Sequence, residues 1–152
     1  VRLINERTRF HYYATGITPV MVKPPLEKGS QYVIGLRDSE GEILNGSETY
    51  RLHIPPNVPA KRFWEVTVYD NQTRSMLQTD QRLPGVTSIQ SDVVQNADGS
   101  YDVYFGPEKP EGKVNWIQTI PNKGWNVLWR IYSPTQVWYD KKWRQGEIVR
   151  VK

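Results

Sequence analysis

The chain has 152 residues, a formal net charge of +4 and no cysteine. Its length predicts a single domain that buries roughly two thirds of its unfolded surface, and six Trp, nine Tyr and three Phe can build the core of such a domain. The lack of cysteine excludes disulfides and thiolate metal sites, and no apolar run approaches the roughly 20 residues of a membrane helix.

The first predicted element is a helix over residues 2–15, which ends at Gly16. We expect residues 1–16 to be an N-terminal helical tail, or the remnant of a connection to another domain. Residues 17–152 are then expected to form one β-sandwich domain, which begins with a Pro-rich connector.

The rest of the chain is dominated by short segments in which apolar and polar residues alternate, as they do in strands with one buried face. The predicted strands cover residues 32–36, 50–54, 64–69, 101–105 and 124–133. Residues 93–105 predict a hairpin, because Asp98 and Gly99 form a turn dipeptide between two strand patterns. Residues 115–121 predict a second pair, with the strand 124–133 that follows them.

Together these elements predict an all-β fold, an antiparallel β-sandwich of jelly-roll type with an N-terminal helix and a short C-terminal helical segment. The strand 124–133 is apolar on both faces, which predicts cover from a second sheet, a helix or a partner. A group of large apolar residues near the C-terminus predicts either an interface or a segment that folds back over its own sandwich. These residues are Val137, Trp138, Tyr139 and Trp143.

A run of polar residues directly follows the strand 64–69 and raises the question of a site. The run is Asp70, Asn71, Gln72, Thr73, Arg74, Gln78, Asp80, Gln81 and Arg82. Asp70 and Asn71 are typical of a turn, since Asp and Asn side chains bond to their own backbone. If Met76 and Leu77 belong to a following strand, Arg74 and Gln78 share one of its faces.

Two interpretations of this polar run stay open. One is a buried network that joins two sheets, with Asp70 or Asp80 paired to Arg74 or Arg130, because an unpaired charge in a core is costly. The other is a polar cleft that binds a small polar or anionic ligand, with arginines donating charge-assisted hydrogen bonds. The candidate ligand-binding residues are His53, Tyr69, Asp70, Arg74, Gln118 and Arg130.

Several other kinds of site are disfavoured by the residues present. The two histidines, His11 and His53, lie 42 positions apart and do not form a metal-ligand pattern, so we predict no metal and no cofactor. No G-x-S-x-G elbow occurs, and no catalytic residue is assigned. Basic residues gather at the two chain ends, whereas most aromatics occupy strand positions, so no nucleic-acid partner is predicted.

Long stretches of the chain resemble one bacterial family, that of the domain of unknown function 1214. The resemblance rests on "TYRLHIPPNVPAKRFWEVTVYDNQTRSMLQTDQ", "DGSYDVYFGP", "NWIQTIPNKGWNVLWRIYSP" and "WYDKKWRQGEI". It implies a jelly-roll-like domain that forms the C-terminal half of a longer protein, and a periplasmic or exported location, with a cytoplasmic one left open. It implies no reaction and no catalytic residues.

Three functions are therefore weighed for this chain. The first is a ligand-binding or accessory domain of a larger two-domain or oligomeric protein, whose partner is a missing N-terminal domain or a second chain in a homo-oligomer. The second is a hydrolase that uses Asp70 as general base beside an arginine. The third is a purely structural assembly domain. Whether the chain is an enzyme is left undecided by its residues.

Overall fold

The structure, a computed structural model, describes residues 3–15 and 24–151. Its helices and strands follow one another along the chain as α1 Ile4–Thr15, β1 Ser30–Gly35, β2 Thr49–Ile54, β3 Ala60–Asp70, β4 Gly85–Thr87, β5 Tyr101–Gly106, β6 Asn115–Gln118, β7 Trp125–Pro134, α2 Gln136–Tyr139 and β8 Ile148–Val151. The predicted all-β class is confirmed, as are the N-terminal helix and the short helical segment near the C-terminus. The predicted domain boundary between residues 16 and 17 lies outside the described residues.

The strands form two four-stranded sheets that pack on a common core. Sheet 1 has the order β1-β7-β3-β4, and sheet 2 has the order β6-β5-β2-β8. The alternation in the sequence identifies the buried faces: Tyr50, Leu52 and Ile54 of β2 pack against the sheet that carries Trp125, Val127, Trp129 and Ile131 of β7. Aromatic contacts across the interface include Tyr50 and Phe105 against Trp125, with ring centroids 5.7 and 4.9 Å apart.

The pairing of the strands differs from the prediction in three places. β5 and β6 run parallel, so the sandwich is not wholly antiparallel. The expected hairpin over 93–105 is wrong: Gly99 adopts a positive φ in a turn, but both edges of β5 are already paired with β2 and β6. The expected pairing of β6 with β7 is also wrong, because the two strands belong to different sheets.

The large apolar residues near the C-terminus pack largely on the domain itself. Trp138 and Trp143 lie against the buried Trp129, at centroid distances of 6.5 and 5.2 Å. The indole of Trp143 also donates a hydrogen bond to the Pro56 carbonyl at 2.9 Å. Of the two alternatives, the structure therefore has the segment folded back over its own sandwich, and these two tryptophans are no evidence for a partner.

Candidate functional site

Asp70 is a turn residue whose carboxylate oxygens are bonded to the turn itself and to Lys123. Its Oδ1 accepts hydrogen bonds from the backbone N–H groups of Gln72 and Thr73, at 2.7 and 3.2 Å. Its Oδ2 lies 2.6 Å from the Lys123 ammonium. The hydrogen bond from Lys123 and the backbone N–H donors lower the pKa of Asp70, so this carboxylate is a weak proton acceptor.

The end of the polar run closes the free edge of β6. The Gln81 side chain accepts a hydrogen bond from the Gln118 N–H at 2.8 Å and donates to the Trp116 carbonyl at 3.1 Å, as a neighbouring strand would. Gln118 bonds through its amide oxygen to the Asp80 N–H and through its amide nitrogen to the Asp80 carboxylate, both at 3.0 Å. The polarity of this segment is therefore used to satisfy backbone groups of β6.

The Arg74 side chain contributes to neither arrangement, although its backbone N–H donates to the Asp70 carbonyl at 3.0 Å. Arg74 lies in the turn after β3 with a positive φ of 62° and an exposed side chain. The expected strand at Met76 and Leu77 is reduced to a single bridge between Met76 and Tyr69. Arg74 and Gln78 consequently share no strand face, and the prediction that they do is wrong.

His53 lies on the outer face of sheet 2, where its Nδ1 is 2.9 Å from Oδ1 of Asp102. The other Asp102 oxygen accepts a hydrogen bond from Asn96 at 2.9 Å. His53 is thus on the other sheet from Tyr69 and Arg130. The six candidate residues do not line one cleft, because β2 and β6 belong to sheet 2 while β3 and β7 belong to sheet 1.

Tyr69 and Arg130 are the two candidates that the fold brings together. They lie on neighbouring strands at the outer face of sheet 1, where Glu65 of β3 stands directly opposite Arg130 of β7. The guanidinium of Arg130 donates to the Glu65 carboxylate and, at 2.5 Å, to the Tyr69 hydroxyl. The side chains of Arg130 and Glu65 are only 19% and 25% exposed, so the pair is mostly shielded from water.

The electrostatics of this group keep Arg130 charged and oriented. Partial burial by itself lowers the pKa of the Arg130 guanidinium, but hydrogen bonds to Tyr69 and Glu65 and the Glu65 charge outweigh burial and raise it. Arginine carries five N–H donors. Contacts to Glu65, Tyr69 and Thr67 occupy three of them, which leaves donors for a further acceptor.

A cavity of about 280 Å³ adjoins this group, and we call it the Arg130 pocket. Its polar floor is formed by Glu65, Thr67, Tyr69 and Arg130. Its apolar walls come from the segment after β3 and from β4, and they include Met76, Leu83, Pro84 and Val86. A pocket with apolar walls and a few convergent polar groups is the usual form of a small-molecule site.

The sequence did not single out Glu65, Met76 or Leu83. Glu65 occupies an ordinary polar position in an alternating strand, and only the register between β3 and β7 makes it the partner of Arg130. The predicted partners of Arg130 were Asp70 and Asp80, and this pairing is wrong. An arginine between Trp129 and Ile131 did signal that some carboxylate had to lie nearby.

A second cavity, of about 390 Å³, lies where the edge strands β1 and β8 leave the sandwich open. Its walls include Val33, Val127, Trp129 and Ile148, so it continues the apolar core toward the surface. The indole N–H of Trp129 is buried and has no hydrogen-bond partner among the described residues. Its lining also includes Arg37, Asp38, Arg144 and Glu147. Arg144 and Glu147 pair with each other but are 80% and 62% exposed, whereas the Glu65–Arg130 pair is mostly shielded, which makes this cavity a weaker site than the Arg130 pocket.

Within residues 3–15 and 24–151, no three acidic or histidine side chains come together as metal ligands. In the same part of the chain, no helix is long and apolar enough to cross a membrane.

The fold and the pocket define a β-sandwich domain with a small-molecule-sized cavity on the outer face of one sheet. Residues 29–136 match the family described as "Protein of unknown function (DUF1214)", and the chain belongs to this family. The predicted resemblance is therefore confirmed. A comparison with curated proteins finds no match.

Two solved structures share the fold over most of this chain. The VPA0106 protein from Vibrio parahaemolyticus is 25% identical with a TM-score of 0.72, and the match covers 93% of this chain and 34% of that one. A putative uncharacterized protein from Burkholderia cenocepacia is 21% identical with a TM-score of 0.59, and the match covers 81% of this chain and 30% of that one. The chain thus spans about a third of the length of these relatives.

Proposed function

We propose that this domain binds a small molecule with an apolar body and a polar or anionic head group, and that the Arg130 pocket holds it. The observation that carries the proposal is the Arg130 guanidinium, which is fixed by Glu65 and Tyr69 at the floor of a cavity with apolar walls. Because the guanidinium is already oriented, a ligand acceptor gains a charge-assisted hydrogen bond without ordering a flexible side chain.

The Glu65 carboxylate decides which head groups suit the pocket. It neutralises most of the Arg130 charge, and it places an acceptor beside the remaining donors. A primary amide offers an acceptor next to a donor and complements this pair, whereas a monocarboxylic acid is ionised at neutral pH and complements the remaining Arg130 donors as a single anion. A multiply charged anion would meet repulsion from Glu65 and is disfavoured.

The hydrolase alternative, with Asp70 as its general base, is not supported by this arrangement. Asp70 is bonded to Lys123, Gln72 and Thr73, and it points away from the outer face on which Arg130 lies. The structural alternative is supported for the polar run itself, whose groups are bonded to the turn after β3 and to β6. This structural role of the polar run does not explain the Arg130 pocket.

The finer predictions from the sequence belong to this proposal as well. They are the jelly-roll connectivity, a periplasmic or exported location, and a role as accessory domain beside an N-terminal domain or a second copy. The matched structures are about three times as long as this chain, which is consistent with a partner domain in the longer protein.

The proposal is tested by thermal-shift measurements with a panel of small carboxylic acids and amides, followed by calorimetric titration of the hits. We expect a subset to raise the unfolding temperature of the wild-type protein. Met76→Glu places a second carboxylate at the mouth of the pocket and should abolish the shift by acids. Tyr69→Phe removes one hydrogen bond to Arg130 and should weaken binding several-fold.

The matched controls leave the pocket intact. Ile43→Glu adds the same charge at another exposed apolar residue, and Tyr32→Phe removes a hydroxyl from the same face of sheet 1. Both should bind as the wild type does. If no compound shifts the unfolding temperature, or if Met76→Glu and Ile43→Glu respond alike, the pocket is not the binding site.

A further inference from the structure

Between β7 and β8 the chain crosses from sheet 1 to sheet 2, and this crossing leaves one side of the sandwich partly open. The crossing covers residues 135–147 and contains the short helix α2. It is held at two points: the Trp143 indole donates to the Pro56 carbonyl at 2.9 Å, and the Gly146 N–H donates to the His53 carbonyl at 2.8 Å. Two cavities lie between this fixed crossing and the edge strand β1.

The two cavities adjoin, since Val33, Arg144 and Gln145 line both of them. The first, of about 390 Å³, lies between β1 and β8, and the second, of about 400 Å³, lies beside α2. We call the two together the edge trough. Each is larger than the Arg130 pocket, and neither shares a lining residue with it. That pocket lies beside β4, at the opposite edge of sheet 1, so the edge trough is a separate place on the domain.

The part of the edge trough between β1 and β8 is mainly hydrocarbon. Val33 stands opposite the buried Trp129 in the register of β1 and β7, so its side chain lies on the buried face of sheet 1. Core residues of both sheets also line this part, namely Leu52, Val127 and Ile148. A ligand here therefore gains most from apolar contact.

Two charged side chains at this apolar end are bonded to the turn that follows β1. Asp38 is 7% exposed, and its carboxylate accepts hydrogen bonds from the N–H groups of Glu40 and Glu42 at 3.0 and 2.9 Å. Arg37 donates to the Gly41 carbonyl at 2.7 Å. These bonds explain both residues without a ligand.

The part of the edge trough beside α2 combines aromatic walls with two cations. The aromatic residues are Trp138, Tyr139 and Trp143, and the charged lining residues are Lys141 and Arg144. Arg144 pairs with Glu147 at 3.2 Å, but the two side chains are 80% and 62% exposed, so water weakens the pair. No carboxylate of the described residues pairs with Lys141, and the nearby Asp140 pairs with Lys142. This end of the trough favours an anionic group.

The turn in which Lys141 lies does not account for a lysine. Lys141 follows α2 with a positive φ of 55°, a conformation that glycine adopts at less cost after a helix. The backbone N–H groups of Lys141 and Lys142 donate to the carbonyls of Trp138 and Val137, so the turn uses the backbone and not the ammonium group. The exposed Lys141 side chain is therefore available to a ligand.

From this arrangement we infer that the edge trough binds a long-chain fatty acid. The alkyl chain lies between β1 and β8, on Val33 and the core residues, and the carboxylate faces Lys141 and Arg144 at the other end. A single chain with one charged end suits a trough that is apolar at one end and cationic at the other. The site is additional to the Arg130 pocket, whose ligands are small acids and amides.

Calorimetric titration of the full chain with octanoate, dodecanoate and dodecanol tests the inference. The titrations are made with the wild type and with Met76→Glu, which excludes acids from the Arg130 pocket. We expect dodecanoate to bind both proteins alike, and roughly tenfold or more tighter than octanoate, because its additional methylenes are buried. Dodecanol lacks the charge and should bind about threefold weaker than dodecanoate, or weaker still.

Two lysine variants test the head group. Lys141→Gln keeps a long side chain without its charge, and it should weaken dodecanoate binding about threefold and leave dodecanol binding unchanged. Lys142→Gln is the matched control, since it removes the same charge from a neighbouring side chain that is 72% exposed and lines neither cavity. It should bind dodecanoate as the wild type does.

Val33→Phe tests the position of the alkyl chain. It adds a ring where the two cavities adjoin and should weaken the binding of both dodecanoate and dodecanol. If this variant fails to fold, the two lysine variants carry the test. Unchanged binding by a folded Val33→Phe overturns the inference.

The inference is equally overturned if no probe binds, if dodecanol binds as tightly as dodecanoate, or if Lys141→Gln and Lys142→Gln bind dodecanoate alike. Loss of dodecanoate binding in Met76→Glu would put the fatty acid in the Arg130 pocket and also overturns it. The Arg130 pocket fails by a different result, the absence of any thermal shift with small amides in the wild type. Lys141→Gln should leave that shift unchanged.

Discussion

The polar run 70–82 and the Glu65–Arg130 pair differ in what their polar groups do, although both follow from the same strand β3. In the polar run, Asp70 bonds to backbone groups of the turn and to Lys123, and Gln81 bonds to backbone groups of β6. At the outer face of sheet 1, Arg130 is bonded to its neighbours, keeps further N–H donors and lines a cavity. A high density of polar residues therefore does not mark a site, whereas unused hydrogen-bonding capacity beside open space does.

The largest effect on stability is expected for Arg130→Met, which removes the Glu65–Arg130 ion pair beside the Arg130 pocket. It leaves the mostly buried Glu65 carboxylate without its cation and should lower the free energy of unfolding by about 1–3 kcal/mol. Urea denaturation measures the loss. Adding Glu65→Gln to this variant should recover part of the stability, and a double variant less stable than Arg130→Met alone would contradict the assignment of the pair.

Gln81→Ala tests the structural role of the polar run. It should lower the free energy of unfolding somewhat less than Arg130→Met does. It leaves the Gln118 N–H and the Trp116 carbonyl without their partner, at a cost of roughly 1–2 kcal/mol. Gln78→Ala is the matched control, because Gln78 is exposed in the same segment. Equal unfolding midpoints for the two variants would show that Gln81 does not close the β6 edge.

Asp70 makes the stability of the folded protein depend on pH. Because Lys123 and the backbone donors lower the pKa of Asp70 in the folded state, its stabilising contribution is fully present above the unfolded-state pKa, near 3.8. That contribution is lost as the pH falls below 3.8 and through the lowered pKa of the folded state. Asp70→Asn keeps an oxygen for the turn but cannot titrate, so its unfolding midpoint should fall less steeply than that of the wild type between pH 5 and about 2. Parallel curves would contradict this role.

The smallest effect is expected for Arg74→Ala. The side chain is exposed in the turn and takes no part in the bonding of the polar run, so the free energy of unfolding should change by less than about 0.5 kcal/mol. Arg74→Gly relieves the positive φ of 62° and should be slightly more stable than Arg74→Ala. The thermal shifts caused by ligands should be unchanged in both variants, and a lost shift would show that Arg74 belongs to the binding site.

The buried faces of the longer strands β2, β3, β5 and β7 could be predicted from the sequence, whereas β4 and β8 were not predicted. Trp64, Val66 and Val68 alternate with polar residues, and the structure buries all three. The interpretation of Asp70 and Asn71 as a turn was also correct, since the bonds that an aspartate makes to the next residues are local. Such features depend on residues within a few positions of one another, so they can be predicted without knowing the tertiary structure.

The side-chain partner of Arg130 and the register between neighbouring strands were decided only by the tertiary structure. Arg130 pairs with Glu65, 65 positions away, because β7 lies beside β3 in one particular register. A shift of that register by one residue would turn Glu65 to the other face and leave the arginine unpaired. Likewise, the Trp116 indole reaches the Gly106 carbonyl because β5 and β6 pair in parallel, which no local pattern indicates. Alternation depends on chain geometry with a period of two, so the sequence determined the buried faces of the longer strands. Strand order depends on how all the buried faces pack at once, so only the packing decided the site.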